Sequence, residues 1–447
     1  MTEATHSYWC EHVWLGGDRV VSKVQIDVRE GRIAAVHTGV DGVLAPGVRA
    51  RGGLTLPGFA NTHSHAFHRA LRGRTQGGAG SFWTWRDAMY DVAERLDPDR
   101  LQQLARAAFA EMVLAGYTAV GEFHYVHHDP NGVPYTDANA MGEALVAAAA
   151  DAGIRITLLD VCYLHGGIGR DLEPPQRRFS DGSVDAWIER TSERRGAAHV
   201  RLGAAVHSVR ACTPDEIAEV VRVIDPAAPL HAHVSEQPAE NDVCLEAYGR
   251  TPTQVLRDAG ALGADFTAVH ATHLTDDDVA LLGASGSAVC LCPTTERDLA
   301  DGIGPAGRLA AAGVPLTVGS DSHAVVDGLE EARAIELDER LATGLRGTFG
   351  VSKLSTALTE DGQRALGWPD AGDLGLGARA DLVTVSLDSV RLAGTDATGA
   401  LDAVIFAATA ADVTHVTVDG VDVVVDGRHT LLDVPRELAA AVAEVTR

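Results

Sequence analysis

From residue 54 to residue 321 the sequence alternates short strand-like runs with helical ones, and it does so eight times. Runs rich in β-branched and apolar residues lie at 54–56, 117–123, 154–159, 200–206, 229–234, 266–270, 287–292 and 314–321. Between them, 98–114, 137–152, 181–195, 253–259, 275–282 and 306–312 carry helical character. A further helix is opened by the capping box Thr213-Pro214-Asp215-Glu216. Pro98 suits a first helical turn, where its missing N–H would be unpaired in any case. Eight β/α units over about 300 residues predict a closed parallel (β/α)8 TIM barrel. An open doubly wound sheet usually has fewer strands and a glycine-rich phosphate turn after the first. The first turn here carries His63 and His65 instead.

The ends of the chain have a different grammar. Residues 7–53 and those from 374 onward read as short strands broken by glycine turns, with helices at 330–341 and 355–366 before the second set and a closing helix at 437–445. Two β-rich ends around a barrel predict one small β-sandwich built from both termini. The expected domain limits are 1–53 and 374–447 for the sandwich and 54–373 for the barrel. No repeat of 20–50 residues and no low-complexity linker interrupts this plan.

The net charge of −25 argues against a nucleic-acid or anionic-membrane partner. In such a chain an anionic substrate would need local arginines. Six scattered cysteines, with no Cys-x-x-Cys pair, read as reduced core residues. The N-terminus lacks the basic and apolar regions of a signal peptide, and no run approaches the ~18 apolar residues of a membrane span. A cytoplasmic protein is therefore expected.

In a parallel barrel, side chains at the C-terminal ends of the strands meet at one mouth. Those positions hold His63 and His65, Glu122 to Tyr125, His207 and Arg210, His231, His233 and Glu236, His270 and His273, and Asp321 and His323. Residues two apart on an extended segment point to one face, so His63 and His65 can aim both imidazoles at one ion. Satisfied core histidines would explain any one of these residues but poorly explain the set. His124, His127, His128, His165, His273 and His323 read individually as structural or supporting residues.

The segments Pro57-Gly58-Phe59-Ala60-Asn61-Thr62-His63-Ser64-His65, His231-Ala232-His233-Val234-Ser235-Glu236, Val269-His270-Ala271-Thr272-His273 and Gly319-Ser320-Asp321-Ser322-His323 resemble the amidohydrolase superfamily. The similarity lies in its branch of mononuclear aminohydrolases. Segments 81–90, 122–128 and 207–211 are most similar to the formimidoylglutamate deiminase family of histidine degradation. The resemblance implies that His63, His65, His233 and Asp321 hold one divalent ion, Zn²⁺ by preference. It implies that Glu236 shuttles protons and that His270 sits beside the water on the metal. Three imidazoles and a carboxylate suit Zn²⁺, which brings the pKa of bound water towards ~7. Asp321 can accept the water proton, Glu236 can protonate a leaving nitrogen, and His270 can stabilise developing charge. No lysine follows the fourth strand to bridge a second metal.

The reaction so implied converts N-formimidoyl-L-glutamate and water to N-formyl-L-glutamate and ammonia. Its two substrate carboxylates call for forked guanidinium donors, for which Arg86 and Arg210 stand in the matching segments, with Tyr125 and His207 as further donors. One position departs from the pattern. Three residues past His65, where the family usually has an amide, this chain has His68. A histidine there offers one bond rather than a paired donor and acceptor. A nucleobase such as guanine or cytosine, stacked on the aromatic segment 82–85, is the alternative substrate, as is another formimidoyl or guanidino compound. A scaffold protein that has lost its metal is the non-enzymatic alternative, but every ligand position is filled. The expected partners are a small anionic substrate and a second copy of the chain, with neither nucleic acid nor membrane.

Overall fold

The computed structural model describes residues 6–17, 19–42, 44–77 and 82–447, apart from the side chains of Phe82 and Trp83. The glycine-rich stretch at 78–80, Ser81 and the side chains of Phe82 and Trp83 in the 81–90 segment thus lie outside the described residues.

Two eight-stranded sheets organise the chain. The first is the barrel, with strands β1 (Phe59–Ser64), β2 (Tyr117–His124), β3 (Arg155–Cys162), β4 (Val200–Val206), β5 (Leu230–Val234), β6 (Phe266–His270), β7 (Ala288–Leu291) and β8 (Leu316–Val318). They pair in parallel in sequence order. Most of their residues are buried on both faces, which is why they read as continuous apolar runs rather than alternating ones. The barrel closes between β8 and β1 by a short parallel bridge, Ser64 to Asp321. Close approach there requires Gly319, because a Cβ would lie 2.8 Å from the His63 carbonyl oxygen.

The second sheet takes His6–Trp14, Val20–Arg29, Arg32–His37 and Val48–Pro57 from the N-terminal part. It takes Leu382–Val385, Val413–Val418, Val421–Val425 and Arg428–His429 from the C-terminal part. The two groups join where residues Leu54 to Pro57 pair antiparallel with Val385 to Leu382. The expected barrel start at residue 54 is therefore corrected to Phe59. The apolar run 54–57 serves the terminal sheet, and the chain changes sheets at Gly58, where a Cβ would meet Thr118 Oγ1 at 2.3 Å. This sheet rolls on itself. Tyr8 Oη donates to the Gly420 carbonyl at 3.2 Å, and Tyr8, Cys10, Ile26, Ile33 and Leu382 share a core separate from that of the barrel.

The end of the barrel opposite the mouth is plugged. Trp368 is 2% exposed, donates to Thr157 Oγ1 at 3.0 Å and is flanked by Arg155, Arg201 and Arg379. Arg155 in turn holds Asp381 through two bonds, Nη1 to Oδ1 at 2.9 Å and Nη2 to Oδ2 at 2.5 Å. The helix read at 355–366 is two helices, Val351–Leu358 and Glu360–Ala365, broken at Thr359 with φ −117° and ψ −94°. Helix Pro238–Tyr248 was not legible because it buries only Glu240 and Cys244, so its apolar residues form no stripe. All six cysteines are free and buried. Among the described residues no helix is long and apolar enough to cross a membrane.

Candidate metal centre

At the end of β1 the extended backbone sends His63 and His65 towards the barrel axis. Ser64, between them, donates to Glu122 Oε2 at 2.7 Å, and the backbone N–H of Ala66 donates to Glu122 Oε1 at 2.7 Å. Glu122 thus pins the turn that carries both histidines, and burial pushes its carboxyl up to about 8 against these two donors. Asn61 ties the same strand to β8: its Nδ2 donates to Ser320 Oγ at 2.7 Å and its Oδ1 accepts from the Ser320 N–H at 2.9 Å.

Imidazoles and carboxylates from several strand ends converge inside. His63 Nε2 and His65 Nε2 each lie 3.4 Å from Asp321 Oδ1. His233 Nε2 lies 3.2 Å from His63 Nε2. His270 Nε2 lies 3.8 Å from both Asp321 Oδ2 and Glu236 Oε1. The ligand atoms of His63, His233, His270 and Asp321 are all within 4.8 Å of one another, as are those of His65, His68 and Asp321. His65 Nδ1 donates to the Phe123 carbonyl at 3.0 Å, and His233 Nδ1 to the His207 carbonyl at 3.0 Å. Those bonds fix the tautomers and leave both Nε2 atoms as lone pairs.

The donor set fits a divalent cation. His65 Nε2 and His233 Nε2 have no proton to give, and the ionised Asp321 carboxylate adds further lone pairs. Burying such acceptors together is unfavourable unless a cation joins them. Burial lowers the pKa of His63, His65 and His233, that of His65 to about 3, so all three stand as neutral imidazoles. Burial would raise Asp321, but hydrogen bonding and charge from His63, then His270 and His65, hold it below the usual carboxylate range. His270 is the reverse case. Burial lowers it, but Glu236, Glu296 and Asp321 outweigh burial and hold it well above the usual imidazole value.

The backbone is held in an unfavourable region at this mouth. Ser235, His270, Ala271, Asp321 and His323 all have positive φ, between 37° and 67°. Non-glycine residues persist there at a cost of order 1 kcal/mol each, and such residues cluster at functional sites.

His65, His233, Glu236, His270 and Asp321 form the floor of a cavity of ≈ 420 Å³. Of the expected substrate residues, His68, Arg86, Tyr125, His207 and Arg210 all line it, together with Glu236 and His270. His68 Nε2 and Tyr125 Oη are hydrogen bonded at 2.9 Å. Arg86 faces the cavity of its own chain and lies 3.9 Å from Glu173. Arg210 is more deeply engaged: Nη2 donates to Glu236 Oε2 at 3.1 Å, and Nε lies 3.8 Å from Glu240 Oε2. A larger cavity of ≈ 770 Å³ lies elsewhere, around Arg340 and Phe406, and has no histidine in its lining.

The remaining histidines stand apart from the floor. His124 and His127 group with Asp160, which is held by Arg190 and Arg194. His128 pairs with Asp181 at 3.1 Å, and His165 with Glu216 at 2.9 Å. His231 bonds the Ala365 carbonyl, His273 the Asp301 carbonyl and His323 the Ser64 hydroxyl. Residues that sequence reasoning did not assign include Glu122, Tyr163, Glu240 and Glu296. Tyr163, directly after β3, had the same strand-end signal as the others. Glu240, one helical turn past Glu236, and Glu296, 3.5 Å from His270 Nδ1, had none.

Residues 54–423 match the amidohydrolase family. A formimidoylglutamate deiminase from Pseudomonas aeruginosa is 40% identical over 412 residues, covering 87% of this chain and 90% of that protein. An 8-oxoguanine deaminase from the same organism is 31% identical over 407 residues, 87% of this chain and 85% of that one. The crystal structure of an amidohydrolase from Brucella melitensis superimposes with a TM-score of 0.89 at 33% identity, covering 99% of this chain and 100% of that one. With its eight-stranded barrel, its terminal sheet and its buried His/Asp centre, the chain belongs to the amidohydrolase family.

Proposed function

We propose that this chain hydrolyses N-formimidoyl-L-glutamate to N-formyl-L-glutamate and ammonia, using one divalent ion, Zn²⁺ by its donor set, in the cytoplasm. The observation that carries this reading is a single cavity that unites the His/Asp centre with Arg86 and Arg210. In a chain of net charge −25, two arginines in one cavity suit a dicarboxylate better than a neutral base. The likeness to a formimidoylglutamate deiminase supports it, and six free cysteines agree with a reducing compartment.

His63, His65, His233 and Asp321 would hold the ion. When bound, a divalent ion acidifies water and so supplies a nucleophile at neutral pH. Asp321, kept ionised, accepts the proton that water loses on attacking the formimidoyl carbon. Glu236 carries a proton to the leaving nitrogen, the C–N bond breaks, and ammonia departs as the formyl carbonyl forms. Arg210, bonded to Glu236 Oε2, orients that carboxylate while facing the substrate. His270, with Nε2 turned to Glu236 and Asp321, donates to the charge that develops at the reacting centre.

A nucleobase is the second reading, favoured by Trp85, Tyr125 and Phe179 along the same cavity, where a flat ring could stack. Ammonia release measured side by side from formimidoylglutamate, guanine and cytosine decides between the two.

A further inference from the structure

We propose that Arg170 forms an outer anion subsite at the mouth of the cavity and binds the substrate carboxylate farther from the reacting carbon. The proposal rests on the reading that the substrate is a dicarboxylate.

The loop after β3 makes a tight turn. The Gly166 N–H donates to the Arg170 carbonyl at 3.1 Å, and the Arg170 N–H donates to the Gly167 carbonyl at 2.9 Å. The turn fixes the base of the side chain, and the stem lies over Gly167, where a Cβ would sit 3.4 Å from Arg170 Cδ. Arg170 is exposed and lines the active-site cavity. It also lines an adjoining cavity of ≈ 220 Å³, as Arg210 does, so both stand on the partition between the two.

Charge balance singles out Arg170. Three arginines line the cavity. Arg210 lies between Glu236 at 3.1 Å and Glu240 at 3.8 Å, and Arg86 lies 3.9 Å from Glu173. Among the described residues no carboxylate is within ion-pairing distance of Arg170, although the chain as a whole carries −25. Of the three, Arg170 is thus the one whose guanidinium makes no ion pair among the described residues, and a bound carboxylate can take that place. A dicarboxylate has one anion for the inner arginines and one for a cation farther out. The planar fork of Arg170 can meet a carboxylate with two donors. Solvent around an exposed arginine screens the pairing, so its effect is modest and depends on salt.

The test compares R170Q and R170K with the unchanged, metal-loaded enzyme. For R170Q, KM for formimidoylglutamate should rise about fivefold with kcat retained. The ratio of its kcat/KM to that of N-formimidoylglycine, which has one carboxylate, should fall by about the same factor. R170K should keep most of the ratio, and high salt should shrink the difference. Equal loss on both substrates, or none on either, overturns the subsite. Calorimetry with glutarate and butyrate separates this proposal from the substrate assignment. R170Q should weaken glutarate about fivefold and butyrate little, whatever the enzyme turns over. Glutarate binding indifferent to R170Q sinks the subsite. Absence of ammonia release from formimidoylglutamate, with glutarate selectivity intact, sinks only the substrate.

Discussion

The backbone N–H of Asp321 donates to the carbonyl of His63 at 3.0 Å, and the N–H of His65 donates back to the carbonyl of Asp321 at 3.3 Å. The seam that closes the barrel is thus made by three of the residues whose side chains converge on the metal centre. Barrel closure and the placement of these side chains are one event, and the bonds that make it are backbone bonds.

Asp321→Asn separates the two roles. Asparagine tolerates the positive φ at this position, so the backbone seam should persist and the variant should still fold, with some loss of stability because the interactions of the carboxylate with His63 and His270 are gone. The carboxylate proposed to accept the proton is gone, so turnover should fall by about 10²–10⁴-fold. Calorimetric unfolding and ammonia release check the two halves.

His233→Ala and Arg210→Met should part company. The first removes a proposed ligand and should leave less than about half an equivalent of bound metal. The second should retain the metal, raise KM and lower kcat, because Arg210 lines the cavity and holds Glu236. Metal analysis beside steady-state kinetics reads both, and equal metal loss in the two would make Arg210 structural.

Glu122 gives a pH signature. Its carboxyl moves from an ordinary 4.5 in the unfolded chain to about 8 in the fold. The folded state therefore binds the extra proton between these values. The stabilisation is complete below about 4.5 and is lost as pH rises through about 8. Measured by urea unfolding across that window, the stability of the unchanged protein relative to Glu122→Gln should fall as pH rises, whatever the buried histidines contribute to both. Glu122→Gln should flatten the slope, and an unchanged slope would contradict the assignment.

The plug at the far end of the barrel should matter for stability alone. Arg155 and Asp381 are each 1% exposed, and Arg155→Met leaves the carboxylate buried without its partner. The cost is about 3–5 kcal/mol, and a second change, Asp381→Asn, should recover part of it. Thermal unfolding of the single and double variants measures the coupling, while turnover of the folded protein should be retained.

The barrel was legible because its period is long and repeated, and because strands buried on both faces read as unbroken apolar runs. The centre was legible because a parallel barrel assigns function to strand ends. Leu54 to Pro57 misled for a physical reason: one apolar extended run feeds both sheets, and only the pairing with Leu382 to Val385 shows which sheet it joins. Glu122 and Glu296 act through contacts with residues dozens of positions away, which no spacing encodes. The link from Arg210 to Glu236 likewise arises from the way two loops fold over the mouth.

The most direct test is ammonia release by the metal-loaded protein from formimidoylglutamate, beside guanine, cytosine and other formimidoyl amino acids at equal concentration. The account predicts the highest kcat/KM for formimidoylglutamate and its loss on chelation of the metal. Faster turnover of a nucleobase, or turnover that survives complete removal of the metal, would contradict it.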